Sequence, residues 1–322
     1  MTPKVCSVPT GAWGAPGSGV TPGNRASGIG RPQQGTGPGP SLLLTILGEE
    51  VMPRGGAVWT TVLVEALAQL GVEEKASRQA VRRAATKGLL EAERHGRRTA
   101  WRLTPTGGDL LREGAARIYG FMRRSREWDG RWLVVAVTVP EPERQLRHRL
   151  RTRLSWAGLG SPLPGLWVTP DVGKGDEVLG VVESLGAEAW VWTGPAAGSG
   201  RPADLVGQAW DLEGVRHRYE AFLAAFGRLE VETPAQAFAA QVQLVQEWRR
   251  FPFLDPDLPD ALLPGGWPGR AAADLFDRRH REWRAGTEEF WGSLVERAAA
   301  AGRRPGGSGR LAASARELGA GG

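Results

Sequence analysis

Across Gly88 the spacing of apolar residues changes from that of a helix to that of a strand. This restricts the segment around it to a helix followed at once by a hairpin. Before the glycine, Ser77 has the chemistry of an N-cap, and Val81, Ala84 and Ala85 hold the core-facing i, i+3, i+4 positions. After it, Leu89–Arg94 and Thr99–Leu103 read as two strands joined by a turn at His95-Gly96. The same stretch carries an unusual charge. From Lys75 to Arg102 there are nine basic residues and only two acids, Glu91 and Glu93. The formal net charge is +6, so the rest of the chain is close to neutral and the excess is local. Localised positive charge is the electrostatic signature of a polyanion-binding surface.

Two helices lead into this element. Leu42–Leu47 begins an apolar helix, and Val58–Leu70 gives a second with Val62, Ala66, Leu67 and Leu70 inward and Gly71 at its end. Helix, helix, turn, helix, hairpin is the order of a winged helix-turn-helix, with a linker helix expected at Gly108–Phe121. Downstream, "WLVVAVTV" at Trp132–Val139 is continuously apolar, as in a strand buried on both faces. An amphipathic helix at Glu143–Ala157, strands at Gly165–Thr169 and Ala189–Thr193 and a helix at Glu177–Leu185 complete a small α/β sandwich of ferredoxin-like type. Helices are expected at Leu205–Phe226, Pro234–Arg250 and Gly269–Ala299.

The expected fold is therefore α+β and multidomain. Its parts are a Gly/Pro-rich disordered tail at 1–40 (equally readable as an over-long gene start), a winged module with linker helix at 41–127, a ferredoxin-like domain at 128–200, a helical domain at 201–300 and a disordered tail at 301–322. With 41% hydrophobic residues and no run long enough to span a bilayer, the chain reads as globular and cytoplasmic, without a membrane partner. The single cysteine, Cys6, rules out an intrachain disulfide framework.

Several stretches together resemble the PaaX family of bacterial transcriptional repressors, first associated with phenylacetate catabolism. They are "SLLLTILGEEV", "RGGAVWTTVLVEAL", "GLLEAERHGRRTAWRLT", "RIYG" with "WDGRW" behind it, "AWDLEGVRHRYEAF" and "TPAQAF…WRRFPFLDPDLPDALLPGGWPG", in family order from Ser41 to Glu296. The resemblance implies a double-stranded DNA operator, a C-terminal domain used for homodimerisation, and release by an acyl-CoA effector, typically phenylacetyl-CoA. It departs from the family in the third helix, where Ala84 stands in place of the usual leucine and Leu89 in place of the usual tryptophan.

With Val81, Ala84 and Ala85 inward, Arg78, Gln79, Arg82, Arg83 and Thr86 form the outer face of that helix, with Lys87 at its end. An ordinary solvated face would interleave glutamates, and none occurs between Lys75 and Leu90. Arginine suits guanine O6/N7 and glutamine suits adenine N6/N7, so Gln79 and Arg82 are the base-reading candidates. Gly96 would let Arg97 and Arg98 project from the wing tip toward phosphate or a narrow minor groove.

The arginines of the central helix, Arg144 to Arg153, read first as a solvated face, with Glu141 and Glu143 capping its start. Arg147 and Arg151 are also candidates for effector phosphates or flanking DNA. Arg249 and Arg250 are effector or interface candidates. In "WRRFPFLDPDLP" the prolines should prevent helix and let Phe251, Phe253 and Leu254 plug a core, with Asp255 and Asp257 as helix caps. "VGKGDE" at Val172–Glu177 reads as a solvent turn.

The four histidines show no metal-ligand spacing, and neither a catalytic set nor a cofactor is expected. The alternative is a metal-dependent nuclease built on the central domain. It needs an acid at the end of the first strand, but that strand ends Thr138-Val139 and Asp129 lies at its beginning.

Overall fold

The computed structural model describes residues 38–122, 127–139, 143–195 and 200–302. Cys6, Glu141 and nearly all of both expected tails lie outside the described residues. The N-terminal part is mainly helical. It contains α1 (Pro38–Ile46), a π-helical turn (Leu47–Val51), β1 (Ala57–Trp59), α2 (Thr60–Ala68), α3 (Glu74–Thr86), β2 (Leu90–His95), β3 (Arg98–Leu103) and α4 (Pro105–Gly120). β3 lies between β1 and β2, antiparallel to both.

Both helix ends marked by glycine have a physical basis. At Gly88 (φ +73°) the Leu89 amide donates to the Ala84 carbonyl and the Gly88 amide to the Ala85 carbonyl. This is a Schellman cap, which requires the left-handed backbone glycine adopts freely. Gly71 ends α2 in the same way, with Val72 bonded to Leu67. Thr104 then caps α4 through the Gly107 amide, and its hydroxyl also bonds the Gly88 carbonyl. The linker helix is thereby anchored to the turn after α3.

Three expectations in this part are corrected. α3 starts three residues before Ser77, so Ser77 is no cap. It is buried inside the helix, with its amide bonded to Glu73 and its hydroxyl reaching the Val72 carbonyl. The second helix does not begin at Val58, because Ala57–Trp59 pairs with β3 as a strand. Ala80 rather than Ala85 completes the buried stripe of α3.

The central part runs β4 (Arg131–Thr138), α5 (Arg144–Trp156), β5 (Gly160–Leu163), β6 (Leu166–Thr169), α6 (Gly175–Glu183) and β7 (Glu188–Pro195). The sheet order is β5-β6-β4-β7, every neighbouring pair antiparallel. β5 carries only Gly, Ser, Pro and Leu, so no apolar alternation announced it. Leu133, Val135 and Val137 of β4 face Leu150 and Leu154 of α5 and Val178 and Val182 of α6. Trp132 on the other face packs with residues from further along the chain. This is why the strand reads as apolar throughout. Glu143 precedes α5 without making a side-chain cap, and Val172–Lys174 forms a 3-10 turn.

The remainder is helical: α7 (Pro202–Ala209), α8 (Leu212–Gly227), α9 (Pro234–Trp248), α10 (Phe251–Leu254) and α11 (Gly269–Gly302). The single helix expected over Leu205–Phe226 is broken at Trp210-Asp211, where the Asp211 carboxylate accepts from the Gly214 amide and starts α8 afresh. Phe251–Leu254 is a turn of helix after all, with Pro252 where a helix start tolerates it. Phe251 is buried but Leu254 is 38% exposed, so only the former plugs the core fully. Asp255 caps no helix start. Its buried carboxylate accepts from the Tyr219 hydroxyl at 2.7 Å and the Asp257 amide at 2.7 Å.

Phe238 and Val242 of α9, with Phe290, Trp291, Leu294 and Ala298 of α11, share one core with Leu43, Ile46, Leu63, Leu67 and Val81. The N-terminal module is thus packed directly on the last long helix.

Candidate DNA-binding surface and its supports

The helical face of α3 forms because Ala80, Val81 and Ala84 turn inward, leaving Arg78, Gln79, Arg82, Arg83, Thr86 and Lys87 exposed. Arg78 is not free: its guanidinium pairs with Glu74 one turn earlier at 2.8 Å. Arg82 and Arg83 carry no ion pair among the described residues. The Thr86 hydroxyl bonds back to the Arg82 carbonyl at 3.0 Å, so its donor is engaged within the helix. A cleft of about 270 Å³ opens between α3 and the hairpin, lined by Arg78, Val81, Arg82, Ala92, Arg94, Trp101, Thr60 and Thr99. Arg94 therefore joins the helix arginines, although its strand position alone did not mark it as part of a site. Trp101 is held by its indole N–H on Thr60 at 2.8 Å, and Thr60 in turn donates to the Thr99 carbonyl.

At the wing, His95 pairs with Arg98 across a two-residue turn whose first residue, Gly96, has φ +61°. Such a turn favours glycine there. Arg97 is exposed at its tip. Arg98 does not project with it. Its guanidinium lies 3.9 Å above the Trp59 ring, and Nη2 donates to the Ala298 carbonyl of α11. Only one of the two wing arginines is thus available at the tip, and the other ties the wing to the C-terminal helix.

The four arginines singled out for an effector are not brought together. Arg147 and Arg151 lie on α5, which packs on α6 and the central sheet. Arg249, at the end of α9, donates to Thr45 at 3.2 Å and to the Ser41 carbonyl at 3.5 Å, joining α9 to α1. Burial lowers its pKa from the ordinary arginine value. Arg250 pairs with Glu247 at 2.8 Å. A cavity of about 200 Å³ lies elsewhere, between the end of α4 and the start of α11. Its walls include Tyr119, Phe121, Trp248 and Phe276, with Arg270, Asp274 and Asp277 also lining it.

A buried polar cluster that no sequence pattern revealed joins the N-terminal module to α11. Glu49 of the π-helical turn accepts from the Tyr119 hydroxyl and lies 2.8 Å from His280 Nε2. Gln241 of α9 bonds Thr287 at 3.1 Å beside them. Burial pushes the Glu49 carboxyl up, but His280, Tyr119 and Arg284 together hold it below the usual carboxylate value. Its neighbour Glu50 is wholly buried between Arg54 at 2.7 Å and Arg284 at 3.8 Å. There burial prevails and the pKa rises to about 7. Glutamates in an apolar-flanked helix carry no mark of burial; only the packing of α11 reveals it.

Among the described residues no three His, Cys, Asp or Glu side chains form a metal-binding group, and no helix is long and apolar enough to cross a membrane.

Residues 39–107 match the family described as PaaX-like protein, residues 125–206 the PaaX protein central Cas2-like domain, and residues 210–293 the PaaX-like protein C-terminal domain. The chain is 30% identical over 254 residues to the transcriptional repressor PaaX of Escherichia coli K12, covering 74% of this chain and 78% of that protein. Its fold is similar to that of an uncharacterized protein, Rv0674, from Mycobacterium tuberculosis. The TM-score is 0.51 and the identity 24%, over 80% of this chain and 96% of that one.

Proposed function

The chain belongs to the PaaX family, and on that premise we propose that it is a DNA-binding transcriptional repressor, working as a cytoplasmic homodimer released from its operator by an acyl-CoA thioester. The observation that carries the reading is the cleft where Arg82 of α3 and Arg94 of the hairpin meet, with Arg97 at the wing tip beyond them. Three helices followed by a hairpin with a third short strand support a winged helix-turn-helix. In that fold α3 enters the major groove and Arg97 reaches phosphate or the minor groove. The β-α-β-β-α-β order and the sheet order β5-β6-β4-β7 support a ferredoxin-like central domain.

Two such modules in a dimer would read half-sites whose spacing follows from dimer geometry. An effector acts by favouring the state in which that spacing is lost, and its effect is limited by its differential affinity for the two states. The cavity beside α4 combines aromatic walls from Tyr119, Phe121, Trp248 and Phe276 with the charged Arg270, Asp274 and Asp277, a lining that would suit a ring carrying polar groups. The Cas2-like description of the central domain favours one other reading, a metal-dependent nuclease. Against it, β4 ends at Thr138 and Asp129 precedes the strand, its carboxylate accepting from the Arg131 amide.

The test is fluorescence anisotropy with the chain's own upstream intergenic DNA, over a salt series, with and without phenylacetyl-CoA and against scrambled competitor. Specific, steeply salt-dependent binding weakened by the thioester is the expected result. Specific binding indifferent to the thioester would remove phenylacetyl-CoA as the effector. Equal binding to scrambled DNA would remove that promoter as the target, and magnesium-dependent loss of intact duplex would establish the nuclease.

A further inference from the structure

Tyr119, near the end of α4, belongs to two features at once. It forms part of the wall of the cavity of about 200 Å³, together with Phe276, Trp248 and Ala273. Its hydroxyl donates to Glu49 in the π-helical turn and lies 3.2 Å from His280 Nε2 of α11. The rings around it are in contact with one another. Tyr119 lies 5.8 Å from Phe276 and 5.5 Å from His280 between centroids, and Phe276 stacks on Trp248 at 4.9 Å. A displacement of the cavity wall therefore reaches the Glu49 bond through one side chain.

The turn that receives this bond is not ordinary helix. The Met52 amide donates to the Leu47 carbonyl, five residues back, at 2.8 Å, where an α-helix would use Gly48. Such π-helical turns are rare, and they concentrate at functional sites. This one carries two consecutive buried acids, Glu49 and Glu50, held by partners on α4 and α11. The α register is its nearest alternative, so the contacts that fix the two acids also fix the turn. The turn continues α1, whose Leu43 and Ile46 share a core with Val81 of α3. A change of register there reaches the helix that presents Arg82.

We infer that Tyr119 is a positioning residue that passes occupancy of the cavity to the DNA-binding module, with the π-helical turn as the two-state element. A ring carrying polar groups, seated against Phe276 and Trp248, displaces the Tyr119 ring and draws its hydroxyl from Glu49. The turn then loses a contact that holds its register, and the seat of α3 shifts. This rests on the DNA-binding reading and on the cavity as the effector's place, and it adds the residue that couples them.

The test fills the cavity covalently, so that it needs no identified ligand. Ala273→Phe puts a ring into the space, and Ala273→Leu serves as a smaller filler should the larger one fail to fold. Each is made in the full chain, alone and together with Tyr119→Phe. Filling should weaken binding to the upstream intergenic duplex at least about fivefold, the lower end of ordinary coupling between sites. Tyr119→Phe alone should do the same, and the two changes should not add. Amide exchange at Met52, measured without DNA, should quicken on either change and again not add. A merely structural Tyr119 would give additive effects in both measurements, which would overturn the inference. So would filling that leaves affinity and exchange unchanged. A parent that binds no duplex would overturn the DNA-binding reading, while the exchange cycle still decides whether Tyr119 couples cavity and turn. A filled protein that responds to phenylacetyl-CoA as the parent does would overturn the cavity as the effector's place, a result separate from both.

Discussion

Arg98 lies flat over Trp59, 3.9 Å from the ring centroid, while its Nη2 holds the Ala298 carbonyl near the end of α11. One side chain therefore joins the wing, the strand that opens α2 and the last helix of the chain. A cation–π contact of this kind contributes about 0.5–2 kcal/mol, and a hydrogen bond from a charged group about 1.5–3 kcal/mol. Arg98→Ala should lower stability by about 1–3 kcal/mol and loosen the wing. Urea denaturation checks the first effect, and amide exchange in β2 and β3 the second. Arg98→Lys keeps the charge but not the planar stack, and should recover only part of the loss. Full recovery by lysine would mean that charge alone matters there.

Arg82 and Arg97 should separate in a binding assay. Arg82→Ala removes an exposed guanidinium from the cleft, and should cost about 1–3 kcal/mol on the operator while relaxing preference at one base position. Arg97→Ala removes a charge from the wing tip. It should weaken operator and scrambled duplexes alike and lower the salt slope by about 1. A systematic base-substitution series with both variants distinguishes them. Identical effects on every duplex would remove Arg82 as a base reader.

Much of this surface was legible in the sequence because helices and turns report locally. Val81 and Ala84 of the α3 stripe, Gly71, Gly88 and the positive φ at Gly96 all follow from neighbours within a few residues. Long-range partners leave no such mark. Ser77 has the chemistry of a cap, yet packing at 0% exposure places it within the helix. β5 is a strand only because β6 pairs with it, and nothing in Gly-Ser-Pro-Leu carries that information. Arg98 and Arg97 are indistinguishable until α11 arrives beside one of them. The Glu49–Tyr119–His280 cluster spans three distant stretches of chain and was invisible for the same reason.

Glu50 makes stability depend on pH with a definite sign. Its folded pKa of about 7 lies above the ordinary value of 4.5, so the folded state holds the proton more tightly than the unfolded one. The stabilisation is complete below pH 4.5 and is lost as pH rises through about 7. Glu49 works the other way. Its lowered pKa adds stability above 4.5 that fades as pH falls. Melting temperatures between pH 5 and pH 8 should therefore decline less steeply for Glu50→Gln than for the parent. An unchanged decline would place its origin in the other acids with raised values, the part-exposed Glu247 and the buried Asp255.

Adjacent glycines in the first turn of α4 should respond in opposite ways. A Cβ on Gly107 would sit 2.2 Å from the Leu89 carbonyl oxygen, which already accepts the Thr104 amide. Neither backbone segment can yield without disturbing the cap that anchors α4 to the turn after α3, so Gly107→Ala should cost about 1–3 kcal/mol. At Gly108 the nearest atom is the end of the Arg112 side chain at 3.5 Å, an ordinary contact. There alanine lowers the entropy of the unfolded chain and favours helix, for a gain of about 0.4–1 kcal/mol. Denaturation midpoints measured side by side check both signs. Equal effects would mean that the close approach of α4 to Leu89 is not what sets the linker helix in place.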